Sequence, residues 1–474
     1  MKKIYLLFSF ILLAFSVHAQ WQSNIRLTND KAVSQTSYNN AWCVAASGDT
    51  VHVVWYDNRD GNDEIYYKRS TDGGQTWGAD VRLTNDTAES VKPCIAISGS
   101  VVNVIWVDGR DGNDEIYYKR SPNAGTNWTS DIRLTNDTAD SWFPSMACKG
   151  SDVYVVWEDK RNGGMSEDIY YKYSSNGGVS WGSDVQLTIN PAYSRYPSIA
   201  VNGSDVHVVW FDYRDNNYEI YYKHSTDNGN SWLADTRLTN DTASSIIASI
   251  AVNGSNIHVV WTDMRNGSED VYYKNSNDNG VSWSKDVALT NYSGNSTKPS
   301  IAINGLDINV VWYDNRDGNV DIYYKHSDDG GNNWDADENL SNNSGSSYLP
   351  SIAISNSILH VVWFDFTDGN REIYYKQYDP IITTAINNTV NSNLALDLHA
   401  FPNPAINVLH VECNNNINKN TMLYIRNIIG EVVLNKKIEI SNTPINISSF
   451  KNGMYVVELK NNMASETTKL IIAH

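Results

Sequence analysis

The chain has 474 residues, with 54 acidic against 36 basic side chains and a net charge of −18. That balance excludes a nucleic-acid partner, because phosphate affinity rests on Lys and Arg. Four Cys exclude a disulfide scaffold, and 41% hydrophobic residues exclude global disorder. The unusual feature is aromatic: 16 Trp and 29 Tyr against 9 Phe.

Lys2 and Lys3 precede an apolar run from Ile4 to Val17, followed by Val17-His18-Ala19. This pattern predicts a secretory signal peptide over residues 1–19, cleaved after Ala19. The run is shorter than the ~20 residues a membrane span needs, so no transmembrane segment is expected.

A phrase like VHVVWYDNRDGNDEIYYKRSTDGGQTW then recurs along most of the chain. Its first Trp falls at positions 55, 106, 157, 210, 261, 312 and 363. A second Trp falls at positions 77, 128, 181, 232, 283 and 334, and Trp21 opens a matching segment at the N-terminus. Fourteen of the 16 Trp are therefore repeat signatures, leaving Trp42 and Trp142. Each unit reads as four short strands rich in Val, Ile, Tyr and Trp, divided by Gly, Asn and Asp turns. Four-stranded units of about 50 residues predict a β-propeller. The last unit lacks its fourth strand, and Trp21–Asp30 supplies one. The fold class expected is all-β: a seven-bladed propeller over residues 20–380, closed by its N-terminal strand.

The turn between third and fourth strands reads STDGGQTW at Ser70–Trp77, with five further variants starting at Ser121, Ser174, Ser225, Ser276 and Ser327. It resembles the Asp-box, or bacterial neuraminidase repeat, of sialidase-like propellers. Asp or Asn can bond backbone N–H groups in such a turn, and Gly allows positive φ. The resemblance implies a structural role for this turn, on the face opposite an active site.

The loop between second and third strands carries Asp two places after each first Trp and Arg four places after it, from Asp57 and Arg59 to Asp314 and Arg316. The seventh unit has Asp365 but Thr367 in the Arg slot, with Arg371 as a possible substitute. An acid also opens each third strand, from Glu64 to Glu372. This pattern predicts a turn pinned by Arg–carboxylate bonds. A Ca²⁺-binding ring is the alternative, and the Arg within the loop argues against it. No metal or other cofactor is expected.

The sialidase resemblance implies three Arg around a substrate carboxylate, a Tyr–Glu nucleophile and an Asp acid. The nearest match to the family's Arg motif is Ser194-Arg195-Tyr196-Pro197, which lacks the leading aromatic. Enzymatic sialidases resemble six-bladed propellers, and no unique Tyr-Glu-Asp set stands out here. The slot two places before the first-strand Pro varies most between units: Asn40, Val91, Trp142, Arg195, Ile246, Thr297 and Tyr348. It precedes the innermost strands, so Trp142, Tyr193, Arg195 and Tyr348 are the ligand-binding candidates at the channel mouth. Aromatic rings stack on sugar faces, and Arg pairs with carboxylates. Catalytic residues are not assigned.

Cys43 and Cys94 hold equivalent slots, and free thiols or a bridge both fit. After Tyr378 the repeat ends, and residues 381–393 read as a polar linker. Residues 394–474 read as a small β-sandwich with a net charge of +1. Phe401-Pro402-Asn403-Pro404, MLYIRNIIGEVV, NGMYVVEL and TTKLIIAH resemble the ordered motifs of a type IX secretion sorting domain. That resemblance implies export through the periplasm by the type IX secretion machinery, to the outside or the outer cell surface. With +2 in the leader and +1 in the tail, the remainder carries −21. Three functions follow as expectations: a binder of glycans or extracellular polymers, an exo-sialidase or related glycoside hydrolase, or a surface protein with no small ligand.

Overall fold

The computed structural model describes residues 20–37, 42–163, 167–380, 398–413, 421–427, 432–438, 440, 442–460 and 465–473. The expected signal peptide, the whole linker 381–393 and Asn40 lie outside them. The chain divides into two units, one spanning Ala19–Ile382 and the other including Thr383–His474.

The first unit is seven four-stranded antiparallel sheets in succession. Blade two shows the pattern, with Ser90–Ser98 innermost, then Val101–Asp108, Glu115–Ser121 and the short outer strand Ile132–Arg133. Blades are numbered here by their first Trp, from Trp55 in blade one to Trp363 in blade seven. In blade seven the outer strand comes from the N-terminus: Trp21 pairs with Tyr378 and Ile25 with Tyr375. The ring is thus closed by joining both chain ends in one sheet, which leaves no open edge there.

The Trp excess is explained by where the rings sit. All seven second-strand Trp are fully buried, and each indole N–H donates to the Asp two places on, as Trp55 Nε1 does to Asp57 Oδ2 at 3.2 Å. The outer-strand Trp packs across the blade boundary rather than on its own blade alone. Trp128 meets Tyr67 edge-on at 4.9 Å, Trp77 meets Tyr375 at 4.9 Å, and Trp21 meets Tyr324 at 5.0 Å. These edge-to-face pairs hold neighbouring blades together.

The Asp-box turns are closed by their own side chains. Ser70 Oγ donates to Asp72 Oδ1 at 2.7 Å and accepts from Gly74 N at 2.8 Å, while Thr76 N donates to Asp72 Oδ1 at 2.9 Å. These bonds hold the Asp72 carboxyl down to about 2. Gly74, at φ +93°, sits where a Cβ would lie 2.0 Å from the Tyr375 hydroxyl, so the turn needs Gly for space as well as for backbone angle.

The loop Arg behaves as expected. Arg59 Nε and Nη2 donate to Asp57 at 2.9 and 2.6 Å, and Nη1 reaches Asp80 on the outer strand at 2.6 Å. The acid opening the third strand is held differently, by outer-strand groups: Arg82 Nη2 donates to Glu64 Oε1 at 2.7 Å. In blade seven Arg371 does not replace the missing Arg. Asp365 is satisfied by Asn343, Ser347, Trp363 and Thr367 N, while Arg371 donates to Gln35 and lies over Phe364 and Phe366.

The inner strands surround a channel of about 270 Å³, lined by Ala from every blade, Ala45 to Ala353, among Val and Ile, with Trp42 and Cys148. Small side chains at the axis let seven strands converge. Each inner strand from blade two to blade seven has a bulge just before this ring, where the register shifts, as between Trp142 and Ser145. The bulged residue has positive φ without being Gly: Lys92, Phe143, Tyr196, Ile247, Lys298 and Leu349 lie between 48° and 54°. For an L-residue that conformation costs roughly 1–2 kcal/mol, so the bulges are built features that re-aim side chains.

The second unit packs a three-stranded sheet and a four-stranded sheet around one core that includes Leu409, Val411, Leu423, Ile425, Val457 and Leu470. Asn403 ties the start of this unit to its last strand, donating to Lys469 O at 2.9 Å and accepting from Ile471 N at 2.8 Å.

Candidate functional site

The up-and-down order of strands sorts the loops. Asp-box turns and inner-to-second turns share one face of the ring, and second-to-third loops share the other with the starts of the inner strands. The variable slot is paired with the residue just before the loop Asp: Trp142 with Glu158, Arg195 with Phe211, and Tyr348 with Phe364. The ligand candidates therefore lie on the face opposite the Asp-boxes. In blade one the slot is Gln35, paired with Tyr56, not Asn40. Ser34 stands 23 residues before Asp57, whereas Ser90 stands 18 before Asp108, so five inserted residues displace the sequence register.

Trp142, Tyr193 and Arg195 are gathered on blades three and four. Phe143 stacks on Tyr196 at 4.1 Å, and Tyr196 stacks on Phe211 at 5.3 Å. Phe211 then meets Tyr218 at 5.1 Å, Tyr218 meets Tyr213 at 4.9 Å, and Tyr213 meets Tyr193 at 6.5 Å. With Trp142 beside Phe143 at 6.5 Å, seven rings run continuously along this part of the rim. Tyr213 is 40% exposed at its outer end, so the run opens to solvent. Tyr348 is apart, grouped with Tyr313, Phe364 and Phe366 on the far side of the ring.

Charged groups border the aromatic run. Lys160 Nζ lies 3.7 Å from the Trp142 ring centre, and Lys92 Nζ lies 4.6 Å from that of Phe143. Trp142 Nε1 donates to Asp114 Oδ2 at 2.5 Å. Arg195 Nε donates to Glu158 Oε1 at 3.2 Å, and its Nη2 is 3.7 Å from Glu167 Oε1. Glu158 is 1% exposed, and burial pushes its carboxyl up to about 7 against the pull of Arg195. Burial likewise pushes the Lys92 ammonium down. On blade six it pushes Lys298 down to about 7, with Glu269 opposing. The sequence reading missed Glu158, Lys92 and Lys298. Glu158 was visible as the one acid in a slot otherwise holding Tyr56, Val107, Phe211, Thr262, Tyr313 and Phe364.

Among the described residues, the three-Arg carboxylate clamp implied by the sialidase resemblance is not formed. Six loop Arg are bound to their Asp, and Arg26, Arg82, Arg133 and Arg237 to third-strand Glu. Arg69 and Arg120 reach carbonyls on the Asp-box face. Arg195, at the start of the inner strand of blade four, and Arg371, just before the third strand of blade seven, remain.

The tail shows its kinship directly. Residues 399–473 match the family model of the secretion system C-terminal sorting domain. The C-terminal unit is a secretion sorting domain. The sorting domain assigns the protein to type IX export, ending at the cell surface or in the medium. No curated protein sequence matches the chain. Among solved structures, polysaccharide lyase Uly1 is similar with a TM-score of 0.51 at 11% identity, covering 76% of this chain and 99% of that one. A Trypanosoma rangeli sialidase with sialic acid gives 0.45 at 12% identity, covering 83% and 85%. The alpha-L-arabinofuranosidase arb93a from Fusarium graminearum gives 0.43 at 15%, covering 60% and 91%. At these identities the likeness is one of fold.

Proposed function

We propose that the exported propeller binds an extracellular glycan or polymer across the rim of blades three and four. The observation that carries this reading is the continuous run of seven aromatic rings from Trp142 to Tyr193, bordered by Lys92, Lys160 and Arg195. Ring faces suit the apolar faces of sugars, and the cations suit carboxylate or hydroxyl groups beside them. A polymer reaching across the mouth would meet Tyr348 as a second contact. The sorting domain delivers this surface to the compartment where such polymers occur.

A second reading, an exo-sialidase or related glycoside hydrolase, is favoured by Glu158. A buried carboxyl that titrates near neutrality beside an Arg is suited to general acid–base work. The unformed Arg clamp weighs against sialic acid as its substrate. Assaying the full-length protein on a panel of fluorogenic glycosides, beside a glycan array, separates the two. Selective array binding without turnover supports the binding reading. Turnover abolished by Glu158→Gln overturns it in favour of the hydrolase.

A further inference from the structure

The opposite face carries a second constellation, on blade four alone. Asp205 and His207 begin its second strand, and His224 ends its third. Ligand atoms of the three lie within 4.8 Å of one another. His207 is 0% exposed and His224 is 5% exposed, yet the Nε2 of each is buried with no hydrogen-bond partner. His224 Nε2 stands 3.6 Å from Asp205 Oδ1, a loose contact that becomes an ion pair only if the imidazole is protonated. The imidazoles lie parallel with centres 4.4 Å apart.

Related positions show how unusual this is. The His207 slot holds His52, His258 and His360 in other blades, each bonded through Nδ1 to a Tyr hydroxyl. His207 makes the same bond to Tyr222 at 2.8 Å, but a second imidazole and a carboxylate stand beside it. Blade six has His326 near Asp307 at 3.5 Å, but Asn309 replaces the inner His. From the next Asp-box, Asn279 Nδ2 donates to Asp205 Oδ2 at 3.1 Å, while its own Oδ1 is buried and unpartnered. Two buried imidazole nitrogens without hydrogen-bond partners, facing one carboxylate, need a common explanation, since such groups are costly.

We propose that Asp205, His207 and His224 bind a divalent transition-metal ion of the zinc class. Two imidazole nitrogens and one carboxylate oxygen are a borderline donor set, suited to Zn²⁺ rather than to Ca²⁺, which takes oxygens. Ligands of a tetrahedral zinc lie about 3.4 Å apart, close to the His224–Asp205 separation. The parallel rings must tilt toward each other to aim both lone pairs at one ion. Tyr222 then serves as the outer partner, accepting from His207 Nδ1–H and leaving Nε2 for the metal. Asn279 orients the Asp205 carboxylate. Asp205 is 25% exposed at its side chain, which gives the ion an entry path and leaves room for water as a further ligand. The site joins two blades through Asn279 and lies on the face away from the aromatic rim.

The test uses the full-length chain stripped with chelator, desalted, and titrated with ZnCl₂. The wild type should take up one zinc per chain with a rise in Tm. Asp205→Asn and His224→Gln should each abolish both, while matching the wild-type Tm in chelator. Co²⁺ loaded into the wild type should give a visible ligand-field band of a nitrogen–oxygen site, a readout that does not depend on any variant folding. CaCl₂ should leave Tm unchanged. No zinc uptake by the wild type, or unchanged stoichiometry in both variants, overturns the proposal. So does a Tm rise with Ca²⁺ equal to that with Zn²⁺.

Discussion

Arg195 donates its Nε to Glu158 at 3.2 Å across the boundary between blades three and four, at the one point where the second-strand slot holds an acid. Elsewhere in the ring the same slot is aromatic, aliphatic or hydroxylic, and the repeat is close to symmetric. This pair breaks the symmetry beside the aromatic run, and the first of the testable outcomes depends on it.

The first concerns pH. Glu158 titrates near 7 in the folded protein against 4.5 ordinarily. The folded state therefore holds this proton to higher pH than the unfolded chain, and stability falls as pH rises from 4.5 to about 7. Glu158→Gln should flatten that part of the curve of Tm against pH. The loop Asp carboxyls, such as Asp57 and Asp212, are held below their usual range by Arg, Ser and Trp donors despite burial. Their contribution has the opposite sign: it is present above 3.8 and lost as pH falls below that. Parallel curves for the wild type and Glu158→Gln would contradict the first assignment.

Arg214→Ala removes two bonds of 2.9 and 2.7 Å from Asp212, whose side chain is fully buried. The buried carboxylate keeps Ser194, Asn190 and Trp210 as donors but loses its cation, which should cost about 3 kcal/mol, measured by chemical denaturation. Thr367→Ala should cost far less, because Thr367 carries no charge and its backbone N–H bond to Asp365 survives the substitution.

Trp21→Ala tests the closure. Trp21 is 8% exposed, packs on Tyr324 and Tyr378, and donates to Glu338 at 3.1 Å. Its loss should cost about 3 kcal/mol or more, lower Tm, and speed proteolysis at the N-terminal strand.

Cys43, Cys94 and Cys148 are free thiols, and burial pushes them up to about 12. Thiol reagent at pH 8 should label none of these three in the folded protein and all four Cys after unfolding.

The blades were legible because Trp, Asp and Arg recur at fixed spacing, and each plays the same part in every blade, through burial, capping of the indole and charge pairing respectively. The candidate site was half legible. Trp142 and Arg195 stood out as departures within a slot, and Tyr193 as their neighbour. Glu158 did not, because its importance comes from a partner 37 residues away on the next blade. Gln35 was misplaced because the inserted residues of blade one break the spacing from which slots are counted. His207 and His224 looked like two more strand positions, since only the pairing of second and third strands sets them side by side.

The most direct measurement is the affinity of full-length wild type and Trp142→Ala for the glycan that the wild type selects on an array. Binding at the rim predicts that Trp142→Ala weakens it by about tenfold, ~1.4 kcal/mol, in a variant that still folds. Equal affinity in the two proteins would contradict binding at this surface.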